Sequence, residues 1–211
     1  MVKKITALRT GRGKGKRVNI FLDGIFAFSL EAEVVSKEGL RVEQTLSEEQ
    51  IEALAKSAQC QLGLKTAFRY LSYRPRSEFE LREKLHRRGF NAETEEMVIA
   101  RLKKQGLVDD VAFARLWSDS RESLSPRSQW LAGLELKKKG IADDIIAQAT
   151  TVIDDDESAY RAALSKARRL PHAEYEDFRR KLGGYLRRRG FDYEITGQTV
   201  KRVWEELKVE V

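Results

Sequence analysis

Three short runs of cations, each closed by a glycine, carry most of the chemistry this chain can offer. They read Leu85-His86-Arg87-Arg88-Gly89-Phe90, Leu136-Lys137-Lys138-Lys139-Gly140-Ile141 and Leu186-Arg187-Arg188-Arg189-Gly190-Phe191, with glycines 51 and then 50 residues apart. Ammonium and guanidinium groups at this density bind phosphates or carboxylates, and arginine adds planar bidentate contacts. Helix electrostatics explains part of the pattern without any ligand. A cation in a last helical turn gains about 0.3–1 kcal/mol from the helix dipole, and a left-handed glycine ends the helix. That accounts for one or two cations per copy but not for adjacent triplets, which repel one another. The candidate contacts for a polyanion or an acidic protein face are therefore Arg87, Arg88, Arg127, Lys137, Lys138, Lys139, Arg179, Arg180, Arg187, Arg188 and Arg189. A further basic stretch, 11–17, offers Arg12, Lys14, Lys16 and Arg17 as candidate phosphate contacts. The competing reading of this stretch is a solvated turn, since it has neither the Walker A ending nor a GxGxxG spacing.

Other chemistries find no footing. One cysteine (Cys60) allows no internal disulfide, and His86 and His172 stand far apart without metal-ligand spacing. No nucleophile elbow, HExxH, EF-hand or phosphate loop occurs, so the chain is expected to work by binding, without catalysis or cofactor. No apolar run approaches the roughly 18 residues of a membrane span, and the start leads into no signal-peptide core. A reduced, cytoplasmic protein is the expectation. The net charge of +7 favours acidic partners, and its distribution is uneven. Residues 1–22 carry seven Lys/Arg and no acid, and 23–62 carry three against eight. The following stretches alternate: 63–108 has 11 against 6, 109–157 has 6 against 11, and 158–211 has 13 against 8. Contacts with a polyanion would come from particular parts rather than from a uniform coat.

The cations need elements to hold them. A period near 50 marks a tandem array of supersecondary units, and each unit reads as three helices. The opening helices carry Ala67-Phe68-Arg69-Tyr70-Leu71, Ala112-Phe113-Ala114-Arg115-Leu116 and, more loosely, Ala159-Tyr160 with Ala163-Leu164. Phe68, Phe113 and Tyr160 fall at matching positions and are expected in the module cores; Trp117, Trp130 and Trp204 are expected in cores or module interfaces. The second helices end on the basic phrases: Leu81, Ala132 and Leu182 lie eight residues before the glycine and Leu85, Leu136 and Leu186 four before it, an apolar stripe stopping at a C′ residue. Ser77 caps the first copy, and Ser125-Pro126 is expected to start the second. Asp154-Asp155-Asp156-Glu157 reads as a linker or as a cap for the next helix. Ahead of the modules, residues 3–30 read as strand: a weakly alternating stretch with Ile5, Ala7 and Arg9, joined by the basic loop to Arg17–Leu22 and Ile25–Leu30, which flank Asp23-Gly24, a strong hairpin signal. A helix from Glu31 to about Lys37 follows, then a capping box at Ser47-Glu48-Glu49-Gln50. The expected fold is mainly α, with three tandem three-helix repeats in an elongated array after a small N-terminal β-hairpin and helix region. The expected divisions are 1–46, a connecting helix 47–62, and repeats over 63–108, 109–157 and 158–211.

These residues resemble those of the RecX family, bacterial regulators of the RecA recombinase. Leu107-Val108-Asp109-Asp110-Val111-Ala112-Phe113-Ala114-Arg115, with Ser120-Arg121 beyond, is similar to the family's opening of its second repeat. Pro126-Arg127 followed by Glu135-Leu136-Lys137-Lys138-Lys139-Gly140-Ile141 resembles its central phrase. Arg76-Ser77, Glu80-Leu81, Lys84-Leu85 and Arg88-Gly89-Phe90 fit the first repeat; Leu186, Arg188-Arg189-Gly190-Phe191 and Tyr193 fit the third. The likeness covers about 63 to 207. It departs at Gln129-Trp130-Leu131-Ala132-Gly133-Leu134, where the family's helix is more polar and basic.

The resemblance implies a monomeric binding protein of the SOS response and of DNA repair by homologous recombination. Its partner would be the RecA filament on single-stranded DNA, with weak direct binding to single- or double-stranded DNA alongside. The outcome would be inhibition or modulation of RecA ATPase, strand exchange and filament growth. A competing reading is a DNA-binding helical repeat protein, architectural or transcriptional, that acts without RecA.

Overall fold

The computed structural model describes residues 2–11, 17–170 and 174–209. Arg12, Lys14 and Lys16 lie outside the described residues, and Arg17 lies within them. The chain divides into two compact units, one of Met1–Arg74 with Leu81–Leu107 and one of Pro75–Glu80 with Val108–Val211.

In the first unit, β1 (Val2–Thr10), β2 (Arg17–Leu22), β3 (Ile25–Glu31) and β4 (Thr45–Ser47) form one antiparallel sheet in the order β3-β2-β1-β4. The expected hairpin is β2–β3 and the expected earlier strand is β1; β4 is the strand that the sequence reading lacks. Its turn is Asp23-Gly24, with φ of 49° and 83°, the two left-handed residues that match a turn to strand twist. Asp23 also accepts a hydrogen bond from the Lys4 amide at 3.0 Å, which ties the turn to β1. Helix α1 (Ala32–Lys37) follows, then α2 (Glu48–Leu71), capped by the Ser47/Gln50 box. Ile5, Ile20, Leu22, Phe28, Leu30 and Leu46 from the sheet bury against Leu54 and Ala58 of α2.

Helix α2 runs unbroken for 24 residues, so the connecting helix and the first repeat's opening helix are one element. It packs on α4 (Ala92–Lys104) through Gly63: a Cβ there would lie 2.7 Å from a Val98 methyl. On this helix Ala67 is buried and Phe68 is 43% exposed, which corrects the core placement of Phe68. The helix turns Ala67, Leu64 and Cys60 inward, and Phe68 follows one residue beyond that stripe. Helix α3 (Glu78–His86) buries Leu81 and Leu85, as its stripe predicts.

The second unit holds α5 (Asp110–Ser123), α6 (Gln129–Lys137), α7 (Asp143–Thr150), α8 (Asp155–Ala167), α9 (Tyr175–Arg188) and α10 (Tyr193–Val209), along with the opening residues of α3. Phe113, Ala114, Leu136, Ile141 and Ala149 form one core, and Ala159, Ala163, Phe178, Leu182, Leu186, Phe191, Val200 and Val203 form another. Tyr160 packs at the edge of the latter and donates its hydroxyl to Glu206 at 2.7 Å. Helix α6 begins three residues later than Ser125-Pro126 suggests: Ser128 is the cap and accepts from the Leu131 amide at 3.1 Å. Trp130, expected in a core or module interface, is 64% exposed on the face of α6 away from Ala132 and Leu136, yet its ring lies beside Gly190 of the third repeat, 3.4 Å from where a Cβ there would sit. Asp154 caps α8, so the acidic run is a cap rather than a linker.

Candidate functional site

Each basic phrase ends its helix in the same way. Gly89, Gly140 and Gly190 have φ of 82°, 73° and 91°, and the apolar residue after each returns its amide to the leucine four before the glycine. This is a Schellman closure, and it stops the helix at the same point in every phrase.

In the second unit the third cation of each phrase turns inward. Lys139 Nζ lies 3.0 Å from Glu80 and 4.4 Å from the centre of the Trp117 ring, with its side chain only 17% exposed. Its carbonyl accepts from the Ser77 hydroxyl at 2.7 Å, and that same hydroxyl caps α3 by accepting from the Glu80 amide. Arg189 repeats the construction. Its carbonyl accepts from the Ser128 amide at 3.0 Å, and its guanidinium donates to the Pro126 carbonyl at 2.7 Å while lying over the Tyr185 ring. The following glycine seats each junction. A Cβ on Gly140 would fall 2.6 Å from Cγ of Phe79, and one on Gly190 2.6 Å from Cβ of Leu131.

An aspartate completes each junction. Asp110 accepts from the Glu78 amide at 2.8 Å and Asp155 from the Gln129 amide at 2.6 Å, each supplying the cap of a helix outside its own. Burial pushes the Asp155 carboxyl above the usual carboxylate value of 3.8, with Asp192, Asp154 and Asp156 adding to the push and the Gln129 amide opposing it.

Arg127 is also held. Glu135 accepts from the Trp117 indole at 2.9 Å and from Arg121 at 2.6 Å, and pairs with Arg127 as well. Arg121 stacks over the Trp117 ring at 4.5 Å. The sequence signal for this cluster is that Trp117 and Arg121 are one helical turn apart, facing the single acid of α6.

The other candidate cations point outward. Lys137 is 63% exposed and bridges to Asp143, while Lys138, Arg88 and Arg188 are exposed and make no ion pair among the described residues. Arg87 pairs with Glu83 one turn back. Arg179 and Arg180 pair with Glu176 and Asp177 on α9, and Lys181 and Arg180 hold the Asp177 carboxyl below its ordinary value. Arg179, Arg180 and Arg187 come together along a groove of about 810 Å³ between α9 and α10, with Tyr175, Tyr193 and Lys201. Arg187 lies 5.4 Å from the centre of the Tyr193 ring, which is 79% exposed. In the first unit Arg88 shares a groove of about 400 Å³ with Lys65, Arg69, Lys84, Tyr70 and Tyr73. The structure therefore divides the candidates into a buried set that builds junctions and an exposed set available to a partner.

Four sequence models of one family cover most of the chain: the regulatory protein RecX N-terminal domain at 3–47 and the first, second and third RecX three-helix domains at 64–102, 109–149 and 154–199. A protein named Regulatory protein RecX from Lactobacillus johnsonii is 31% identical over 194 residues, spanning 90% of this chain and 71% of the relative. The chain belongs to the RecX family. Another Regulatory protein RecX, from Prosthecochloris aestuarii, is 38% identical over 145 residues, or 69% of this chain and 93% of the relative. The crystal structure of a regulatory protein RecX matches at a TM-score of 0.65 and 28% identity, covering 93% of this chain and 98% of the other. RecX from Lactobacillus salivarius matches at 0.58 and 26%, covering 69% and 97%. The mainly helical RecX fold with a small N-terminal sheet is the one expected, and the role is that of a RecX regulatory protein. Among the described residues no helix is long and apolar enough to cross a membrane.

Proposed function

We propose that this RecX protein binds the RecA filament on single-stranded DNA and restrains its ATPase, strand exchange and growth through the exposed cations of its helix-end phrases. The observation that carries this reading is the division of the phrase within a RecX chain. Lys139 and Arg189 are used up in junctions, whereas Lys138 and Arg188 are exposed with no ion pair among the described residues, and Lys137 and Arg187 stand exposed beside them, held only by Asp143 and Tyr193 at the surface. Cations that neither cap nor pair are an energetic liability through mutual repulsion, and a negatively charged partner relieves it. Presented from several helix ends, individually weak contacts add up through avidity.

The test is ATP turnover by RecA on single-stranded DNA with this protein added below RecA stoichiometry. Turnover should fall and filaments shorten. Unchanged turnover and filament length would falsify the reading. Tight, salt-steep DNA binding with no effect on RecA would instead favour a regulator that acts on DNA directly.

A further inference from the structure

The N-terminal sheet has a second face that the core does not use. Register and burial define it. On β2, Ile20 and Leu22 enter the core, so Phe21 between them faces the other way. Phe21 pairs with Phe26 on β3 and with Ala7 on β1, and Arg9 pairs with Asn19, whose side chain meets Ser29 at 2.5 Å. A bulge between Ile20 and Phe21 brings Phe26 onto this face beside Phe21. The two rings are 5.9 Å apart with planes at 73°, and the Arg9 guanidinium lies 4.8 Å from the centre of the Phe21 ring. Arg17 extends the face at its edge, donating to the Ser29 carbonyl at 2.6 Å. Phe26 is 53% exposed, an aromatic in open solvent on a rigid strand.

We propose that this face binds a single strand of nucleic acid, with an unpaired base stacked on Phe26 and the backbone phosphates on Arg9 and Arg17. Three observations point to this occupant. On this face two phenyl rings alternate with guanidinium groups, the combination that tracks a polyanion while offering bases a π-face. Strands β1 and β2 carry Lys3, Lys4, Arg9 and Arg17 and no acid, and the one carboxylate of β3, Glu31, stands opposite Arg17 at the far end of the strand from Phe26. The nearest turn carboxylate, Asp23, is occupied by the Lys4 amide. Phe21 supports Phe26 edge against face, and Arg9 is pre-oriented by its own ring contact, so little ordering remains to be done on binding. This goes beyond filament binding through the helical repeats. It gives the protein its own hold on the strand.

The experiment uses the full chain without RecA, so its outcome and that of the filament assay are independent. Fluorescein-labelled oligodeoxyuridylate and oligouridylate are titrated at low salt and followed by anisotropy, with a duplex of the same length as comparator. Phe26→Ala is expected to weaken single-strand binding by about tenfold, within the range of loss of one base–aromatic stack. Phe26→Tyr should retain it, and duplex binding should not change. Arg9→Gln should reduce the salt slope by about 0.7, the value for one single-strand phosphate contact. Photo-cross-linking with a 5-iodouracil oligonucleotide should label the β2–β3 peptide. A difference between the two oligonucleotides identifies the sugar preferred. Single-strand affinity that is absent, or untouched by Phe26→Ala with the cross-link elsewhere, overturns the proposal, as does an equal loss on duplex. So does a Phe26→Ala effect confined to RecA inhibition.

Discussion

Replacing the phrase glycines one at a time separates chain conformation from docking. All three sit at positive φ, between 73° and 91°, so alanine pays the same left-handed penalty at each, about 1–2 kcal/mol. Their surroundings differ. A Cβ on Gly89 meets nothing within 4 Å, but one on Gly140 overlaps the Cβ and Cγ of Phe79, and one on Gly190 overlaps the Cβ of Leu131 and the Ser128 hydroxyl. The Phe79 and Leu131 atoms are rooted at the backbone, so the helix start must move aside. Overpacking of this kind adds about 1–3 kcal/mol. Gly140→Ala and Gly190→Ala should therefore cost about 2–5 kcal/mol, against about 1–2 for Gly89→Ala. Urea unfolding followed by tryptophan fluorescence reads the second unit alone, because Trp117, Trp130 and Trp204 all belong to it. Far-ultraviolet circular dichroism reports the Gly89 variant. If Gly140→Ala and Gly190→Ala lose no more than Gly89→Ala, the junctions are not what the glycines serve.

Glu135→Gln should destabilise the second unit by about 1.5–3 kcal/mol, the range for hydrogen bonds to a charged group, since Arg121 and Arg127 lose their shared counter-charge. A red-shifted Trp117 emission should accompany the loss. Asp155→Asn removes a carboxyl whose folded-state pKa lies above 3.8, so the folded chain holds that proton more tightly than the unfolded one. The wild type accordingly loses this contribution as pH rises through and above 3.8, and the stability difference should shift toward the variant over that window. Chemical denaturation at a series of pH values reads it; a difference that shifts the other way contradicts the burial argument. Gly63→Val should loosen the α2–α4 contact by about 1–3 kcal/mol, visible as faster amide exchange in α4.

The period, the positive-φ glycines and the leucine stripes were legible because they are local. A helix C-terminus needs its own glycine, and a stripe needs only its own spacing. The Ser47 capping box was legible for the same reason. What escaped depends on partners distant in sequence. Nothing near Lys139 says that Glu80 and Trp117 will take it, and nothing near Asp110 or Asp155 says that each caps a helix outside its own. Strands β1 to β3 are legible as strand sequence, whereas β4 is only three residues long and merges into a capping box. Phe68 and Phe113 share a local phrase, but the long α2 turns its buried face one residue away from where the phrase would put it. Ser125-Pro126 suggested a helix start because proline suits a first turn, whereas Ser128 holds the cap and leaves the Pro126 carbonyl to accept Arg189.

In the second unit the basic phrase combines an inward residue that joins the fold with outward residues that, in the proposed function, meet RecA. A charge reversal of all three lysines would confuse the two, because Lys139 holds Glu80. The direct measurement is RecA ATPase inhibition by Lys137→Glu/Lys138→Glu beside the wild type, with circular dichroism and unfolding midpoint as controls. The double variant should fold as the wild type does and need at least about tenfold more protein for equal inhibition, the equivalent of roughly 1.4 kcal/mol of lost contact. Full inhibition by a folded double variant would contradict the claim.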